Sequence, residues 1–192
     1  MSDPEVRRLS WQSRLEHTAW QARPNAGHQA LVELERRGKL HALITQNIDE
    51  LHQLAGHSPD KVIEVHGTMR KVVCMSCGER APMEKALARV RAGEKDPPCR
   101  ACGGILKSAT ISFGQQLEPE VIDRAMQVSA EADLFLSVGT SLQVYPIAGA
   151  VPIAKRAGAR LVIVNAEPTP FDELADALFN DSISAVLPKL LS

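Results

Sequence analysis

The stretch that decides the fold class is His41-Ala42-Leu43-Ile44-Thr45-Gln46-Asn47-Ile48-Asp49-Glu50. Its first half is a short apolar run with β-branched residues, and its second half is polar. This pattern predicts a buried strand that presents polar side chains at its carboxyl end. Ligands bind at the carboxyl ends of strands in open α/β sheets, so Gln46, Asn47 and Asp49 are candidates to bind a ribose, a carboxamide or a water. The alternative is a helix N-cap, in which Asn47 or Asp49 accepts backbone N–H groups.

Outward from this stretch, predicted strands and helices alternate along the chain. Strands separated by helices are typical of right-handed crossovers and of a parallel sheet covered on both faces. The sequence therefore predicts an α/β fold, a Rossmann-like parallel sheet with helices on both faces and a small inserted module. The predicted domain bounds are 1–69 with 108–192 for the sheet and 70–107 for the module. The predicted strands are 41–45, 62–65, 109–113, 133–138 and 160–164, and the predicted helices lie within 13–40 and at 83–92, 119–130, 147–157 and 186–191.

The inserted module contains all four cysteines of the chain. They form two C-x-x-C pairs, Cys74 with Cys77 and Cys99 with Cys102. Two such pairs present four thiolates from tight turns, which is the ligand set of a tetrahedral zinc site. Disulfides are disfavoured in a cytosolic chain, a redox motif does not need the second pair, and an iron site is a further alternative. Because four protein ligands leave no open position on the metal, we expect one structural Zn²⁺ ion.

Polar residues also follow two later strands. Gly139, Thr140 and Ser141 come directly after one apolar strand, an arrangement that suits a phosphate. Similar turns occur in many α/β folds, so this signal is weak by itself. Asn165 and Glu167 follow the next apolar strand, where an acidic residue can bind ribose hydroxyls. Together with the polar cluster after the first strand, these residues predict one nucleotide-sized cleft.

His66 follows the strand predicted at 62–65. An imidazole titrates close to pH 7 and is therefore a natural general base, although a structural histidine is the alternative. We expect Gly67 to leave space beside this ring.

The composition limits the classes of function. The chain has 192 residues, 44% of them hydrophobic, and 22 Lys and Arg against 23 Asp and Glu give a formal net charge of −1. This size allows one or two modest domains. The near-zero charge gives no reason to expect direct binding to nucleic acid or to a membrane surface. No run reaches the roughly 18 apolar residues of a membrane span, and the first residues do not resemble a signal peptide, so we expect a cytoplasmic protein.

These motifs together resemble the sirtuins, which are NAD-dependent protein lysine deacylases. The resemblance runs in order from about residue 22 to residue 188. It rests on Thr45-Gln46-Asn47-Ile48-Asp49-Glu50-Leu51-His52, His66-Gly67, the paired cysteines, Phe113-Gly114, Val138-Gly139-Thr140-Ser141-Leu142-Gln143-Val144-Tyr145-Pro146 and Asn165-Ala166-Glu167.

The resemblance implies a role for each candidate site residue. His66 is the base that acts on a ribose hydroxyl, and Asn47 positions the ribose or a water. Asp49 and Ile48 hold the nicotinamide carboxamide. The remaining NAD contacts are Gln46, Gly139, Thr140 and Ser141 at the ribose and phosphate region, Asn165 and Glu167 at the adenosine ribose, and Ile183 at the adenine. Ile111, Phe113, Gly114 and Val144 form the acyl-lysine tunnel, with adjacent backbone holding the substrate peptide as an added strand.

The chain departs from the family pattern at several places. Glu50 stands where many sirtuins have glycine, Ser108 stands where proline is usual, and Gln115 stands where glutamate is usual. Nothing matches the Gly-Ala-Gly-[Ile/Val]-Ser segment with which sirtuins normally open, so the resemblance implies that the first strand and its phosphate loop, about 45 or more residues, are missing. Deacylation is the expected function. The alternatives are an inactive, zinc-containing peptide-binding module and an NAD-dependent ADP-ribosyltransferase.

Overall fold

The computed structural model describes residues 3–112 and 114–191. In chain order its helices and strands are α1 (Pro4–Glu16), α2 (Ala26–Arg36), β1 (Leu43–Thr45), α3 (Leu51–Ala55), β2 (Val62–Glu64), β3 (Gly67–Cys74), β4 (Arg80–Pro82), α4 (Met83–Arg91), β5 (Leu106–Thr110), α5 (Pro119–Ala130), β6 (Leu134–Val138), α6 (Ala150–Arg156), β7 (Arg160–Val164), β8 (Ala177–Phe179) and α7 (Ile183–Leu190). Short 3₁₀ turns lie at Thr18–Gln21, Ile147–Gly149 and Asp172–Leu174.

The chain divides into two compact units. We call the unit that contains the cysteines the zinc unit; it comprises Met1–Ala22, Asn47–Glu50 and His66–Gln115. We call the other the sheet unit; it comprises Arg23–Gln46, Leu51–Val65 and Gln116–Ser192. The expected domain bounds, 1–69 with 108–192 and 70–107, stay a prediction.

The zinc unit is built on an antiparallel sheet in the order β4-β3-β5. Its core includes Trp11, which is only 1% exposed and packs with Met83 and Leu87. The Trp11 indole N–H donates to Asp96 Oδ1 at 3.2 Å, and Arg7 Nε contacts the other oxygen of the same carboxylate at 2.8 Å. Helix α1 is thereby fixed to the core of this unit by one buried aromatic ring and one shared carboxylate.

The sheet unit contains two parallel sheets. Strand β1 pairs with β2, with Leu43 opposite Val62, and β6, β7 and β8 pair in that order. Ile63 and Ile163 lie almost fully buried in the two clusters beneath these sheets. Among the described residues, no strand pairing joins the two sheets. Candidate site residues follow the carboxyl ends of three of these strands: Gln46 follows β1, Gly139 follows β6 and Asn165 follows β7.

The predicted α/β class is confirmed, and so are the bounds of β7 and α5, which match the expected 160–164 and 119–130. The strand expected at 109–113 is β5, which begins earlier, at Leu106, because it pairs with β3 as far as Cys74. Strands β3, β4 and β8 and helix α3 were not predicted, and α1 begins at Pro4, before the helical region predicted at 13–40. The expected absence of a first strand stays a prediction. Within the described residues, no helix is both long enough and apolar enough to cross a membrane.

Candidate active site and metal centre

The four cysteines converge in the zinc unit, with all four sulfur atoms within 4.8 Å of one another. Cys74 Sγ lies 3.5 Å from Cys102 Sγ, and Cys77 Sγ lies 3.8 Å from Cys99 Sγ. A tetrahedral Zn²⁺ with Zn–S bonds of about 2.3 Å would place its sulfurs about 3.8 Å apart. The four cysteines therefore fit one zinc ion with no position left for substrate, which indicates a structural role.

Hydrogen bonds also prepare the thiols for a cation. The backbone N–H of Cys77 stabilises the Cys74 thiolate and lowers the pKa of Cys74 to about 6. At Cys102 the N–H of Gly104 lowers the thiol pKa, but the hydrogen bonds from Cys77 and Cys74 outweigh it and raise that pKa to about 12. Four clustered thiols thus do not all ionise on their own, whereas a divalent cation would let them do so.

In the sheet unit, the residues that follow β1 and β6 are brought into contact. Gln46 Nε2 donates to Thr140 Oγ1 at 3.1 Å. The same hydroxyl oxygen accepts the backbone N–H of Leu142 at 3.3 Å. The amide of Gln46 and the hydroxyl of Thr140 therefore form one hydrogen-bonded group at the carboxyl ends of two strands.

Gly139 is the first residue after β6, and its conformation favours glycine. Its φ is +59°, and a Cβ atom there would lie 2.6 Å from Ile183 Cδ1. Its backbone N–H donates to Val164 O at 2.9 Å. Because Ile183 begins α7, the first turn of that helix lies directly against the turn that follows β6.

Asn165 follows β7 and is held by the chain around it. Its side-chain amide donates to the carbonyl of Glu167 at 2.7 Å, and its own carbonyl accepts the side-chain amide of Asn180 at 3.0 Å. Its backbone N–H donates to Phe179 O at 3.1 Å. Glu167 is exposed, so its carboxylate faces solvent at the end of this strand.

In the zinc unit, the loop 47–50 and His66 flank the start of β3. Asn47 and Ile48 are exposed, whereas Asp49 and His66 are half-buried. The carbonyl of His66 accepts the backbone N–H of Ile111 at 3.0 Å. A backbone hydrogen bond therefore joins His66, the expected base, to Ile111, which is expected to contact the acyl group.

Gly67 allows a close backbone approach that was not expected. Its φ is +69°, and a Cβ atom would lie 2.1 Å from the backbone oxygen of Ala109. The close approach of β5 favours glycine here, and the expected space beside the His66 ring stays a prediction.

Two residues of the zinc unit whose side chains hold the loop 47–50, Thr68 and Arg70, were not identified from the sequence. Thr68 Oγ1 donates to Glu50 Oε1 at 2.6 Å, and Arg70 Nε donates to Asp49 O at 2.8 Å. Glu50 itself has a φ of +57°. The sequence pointed to Glu50, because it replaces the glycine of many sirtuins, but the contacts of Thr68 and Arg70 depend on the unpredicted strand β3.

The other expected site residues lie in both units. Ser141 and Val144 are exposed in the sheet unit, and Gly114 is exposed in the zinc unit. Phe113 lies outside the described residues. The roles expected for the NAD, catalytic and acyl-lysine residues stay predictions.

Comparison with known proteins agrees with the motifs and the fold. The model of the Sir2 family matches residues 2–146. NAD-dependent protein deacetylase 2 of Streptomyces coelicolor is 54% identical over 191 residues, covering 100% of this chain and 79% of that protein. NAD-dependent protein deacetylase 1 of Bradyrhizobium diazoefficiens is 44% identical, covering 97% of this chain and 74% of that protein.

Solved structures give the same result. A structure described as "The Structural basis for Sirtuin Substrate affinity" matches with a TM-score of 0.88 and 33% identity, covering 96% of this chain and 78% of that one. Another, described as "Sir2-p53 peptide-NAD+", matches with a TM-score of 0.84 and 35% identity, covering 91% and 72%. The chain belongs to the Sir2 family, the sirtuins.

Proposed function

We propose that this chain is an NAD-dependent protein lysine deacylase, which transfers the acyl group of an acyl-lysine to ADP-ribose and releases nicotinamide. Water balances the reaction, because the freed lysine amine and the acylated ribose need one oxygen and two hydrogens more than the two substrates supply. The relatives from Streptomyces coelicolor and Bradyrhizobium diazoefficiens are named as enzymes of this kind.

The observation that carries the proposal is the hydrogen bond between Gln46 and Thr140 at the carboxyl ends of β1 and β6. Open α/β sheets bind nucleotides at these ends. The side-chain amide of Gln46 and the hydroxyl of Thr140 lie beside the exposed turn at Gly139. These polar groups suit the ribose and phosphates of a dinucleotide. Asn165 and Glu167 add an amide and a carboxylate suited to the adenosine ribose, and Ile183 offers backbone groups to the adenine.

The residues of the zinc unit are proposed to serve the reacting end of NAD. Asp49 and Ile48 would bind the carboxamide of nicotinamide, and Asn47 would orient the ribose or a water. NAD supplies a ribose carbon that becomes electrophilic when nicotinamide leaves. The imidazole of His66 would accept a proton from a ribose hydroxyl, so that this oxygen can take up the acyl group.

The acyl-lysine is proposed to approach along β5. This strand is at the edge of the antiparallel sheet, so a substrate peptide can add to it as a further strand. Ile111 and Gly114 follow β5, and Ile111, Phe113, Gly114 and Val144 are the proposed acyl-lysine residues. The proposed partner is therefore an acylated protein or peptide. We propose no direct nucleic-acid or membrane partner and place the enzyme in the cytoplasm, as expected from the sequence.

Product analysis tests the proposal. The purified chain is incubated with NAD and an acetyl-lysine peptide, and free nicotinamide and deacetylated peptide are measured together. Equal amounts of both products are expected. Nicotinamide without deacetylated peptide would indicate ADP-ribosyl transfer, and peptide binding without either product would indicate a binding module. Measured zinc content and a cooperative unfolding transition establish that the protein used is folded.

A further inference from the structure

The loop Asn47–Glu50 ends in a backbone conformation that side chains rarely adopt. Glu50 has a φ of +57°, in the left-handed region that favours glycine. A glutamate is retained in such a conformation only when surrounding contacts compensate for it. The Glu50 carboxylate makes one such contact, with the hydroxyl of Thr68.

Strand β3 holds the loop at three successive residues. Thr68 Oγ1 donates to Glu50 Oε1 at 2.6 Å, Met69 N donates to Ile48 O at 2.9 Å, and Arg70 Nε donates to Asp49 O at 2.8 Å. The bonds from Met69 and Arg70 fix backbone carbonyls, and the bond from Thr68 fixes the carboxylate of Glu50. The loop is thus held by both its backbone and Glu50.

The Thr68 hydroxyl is built into this arrangement. Thr68 is only 3% exposed, and its oxygen also accepts the backbone N–H of Arg70 at 3.0 Å. The guanidinium of Arg70 lies over the Trp20 ring at 5.5 Å from its centroid, which limits its freedom. A buried hydroxyl that both donates and accepts has one orientation, so the position of Glu50 is closely defined.

We propose that Glu50 is a positioning residue, which through its hydrogen bond to Thr68 holds Asn47, Ile48 and Asp49 in the conformation that binds the nicotinamide end of NAD. This inference rests on the proposed function for the identity of the ligand. Glu50 does no chemistry and touches no substrate. Glycine would adopt this backbone conformation without strain. Glutamate adopts it at some cost but gains a hydrogen bond to the buried hydroxyl of Thr68.

Substitution of Glu50 by glycine has two opposing effects on stability, so its effect on NAD binding can be measured at nearly unchanged stability. E50G relieves the left-handed backbone but removes the anchor, so the melting temperature is expected to stay within about 4 °C of the unsubstituted chain. The dissociation constant for NAD, measured by calorimetry, is expected to rise roughly tenfold because the loop is less ordered before binding. Exchange of the Met69 amide hydrogen is expected to become faster, and this measurement needs no ligand.

Matched variants identify the hydrogen bond as the cause. E50Q keeps an oxygen that accepts from Thr68 and is expected to retain NAD binding within about threefold of the unsubstituted chain, since only the charge is lost. T68V removes the hydroxyl and is expected to weaken NAD binding as E50G does. T68S retains the hydroxyl and is expected to retain NAD binding. Because both residues act through one bond, E50G with T68V is expected to weaken binding little more than either change alone.

The outcomes separate this inference from the proposed function. Unaltered NAD binding and unaltered Met69 exchange in E50G, with normal binding by the unsubstituted chain, would overturn the positioning role alone. Failure of the unsubstituted chain to bind NAD would overturn both. NAD binding without turnover would contradict only the proposed deacylation, and the binding constants would still decide the role of Glu50.

Discussion

Gln46 Nε2 lies 3.1 Å from Thr140 Oγ1, and this hydrogen bond links the residue after β1 to the turn after β6. Strand pairing does not connect the two sheets among the described residues, and this side-chain contact joins them at their carboxyl ends in addition to the apolar packing of Ile63 and Phe135. The bond also fixes the Thr140 hydroxyl, which accepts from Leu142 N. The site thereby has a defined hydroxyl orientation before any ligand arrives.

Thr140→Val tests this link. Valine has the shape of threonine but cannot accept from Gln46 or Leu142, and the loss of about 1 kcal/mol of hydrogen bonding predicts roughly fivefold weaker NAD binding. Calorimetric titration with NAD measures it. Thr140→Ser keeps the hydroxyl and is expected to bind nearly as well as the unsubstituted chain. Equal weakening by valine and serine would contradict a role for the hydroxyl.

Gly139→Ala tests the close approach of Ile183. The alanine would have a left-handed backbone, at about 1–2 kcal/mol, and its Cβ would lie 2.6 Å from Ile183 Cδ1. We expect denaturant unfolding to show a larger loss than for Gly38→Ala, because Gly38 has a φ of +70° but nothing within 4 Å of its Cβ position. Ile183→Val removes Cδ1 and is expected to recover the difference. Equal losses at the two glycines would show that the contact does not matter.

Cys77→Ala tests the metal centre. Removal of one ligand is expected to reduce bound zinc from one equivalent to none and to lower the melting temperature by more than about 10 °C, since zinc binding is coupled to folding. Metal analysis and thermal unfolding measure the two effects. Met75→Ala, at an exposed position within the same C-x-x-C pair, is the control and is expected to retain zinc. A full equivalent of zinc in Cys77→Ala would contradict the four-cysteine site.

The pair Glu35 and His57 predicts an acid-sensitive part of the stability. His57 is only 3% exposed, and its Nδ1 lies 2.5 Å from Glu35 Oε2. Burial raises the pKa of Glu35, but hydrogen bonds from Ser58 and His57 outweigh this and hold that pKa at about 2, below the ordinary 4.5. Because the folded-state pKa is depressed, the stabilisation is complete above about pH 4.5 and is lost as the pH falls towards 2.

Glu35→Gln is therefore expected to flatten the fall in unfolding free energy over that pH range, measured by urea unfolding. Glu33→Gln is the matched control on the same helix, since Glu33 forms only an exposed ion pair with Arg37. It is expected to leave the pH dependence as it is in the unsubstituted chain. The same flattening in both variants would contradict the assignment to Glu35.

Much of the sheet unit could be predicted because its signals are local. Strand β7 is an apolar run after Arg160 at its start. Helix α5 has Pro119 in its first turn and apolar residues at helical spacing, so both elements are visible in the sequence. Strand β8 has only three residues, none of them buried, and gives no comparable pattern. The sequence predicted that Gln46 and Thr140 lie near each other, because both follow strands whose carboxyl ends form one cleft. It did not predict the hydrogen bond between their side chains.

The zinc unit was less predictable because its structure depends on distant partners. The sequence of β3, Gly-Thr-Met-Arg-Lys-Val-Val-Cys, mixes charged and apolar residues, and its pairing with β5 shifts register between Thr68 and Val72. The bonds from Thr68 and Arg70 to the loop follow from that pairing. Trp11 is a single aromatic residue on a polar helix, so its burial depends on a core assembled from later residues.

The most direct test of the account is the product yield of the unsubstituted chain beside His66→Ala, both incubated with NAD and an acetyl-lysine peptide at equal zinc content. The unsubstituted chain is expected to yield equal amounts of nicotinamide and deacetylated peptide, and His66→Ala is expected to yield no deacetylated peptide. Undiminished deacetylation by His66→Ala would contradict the proposed base. Absence of deacetylated peptide from the folded, zinc-loaded unsubstituted chain would contradict the proposed function itself.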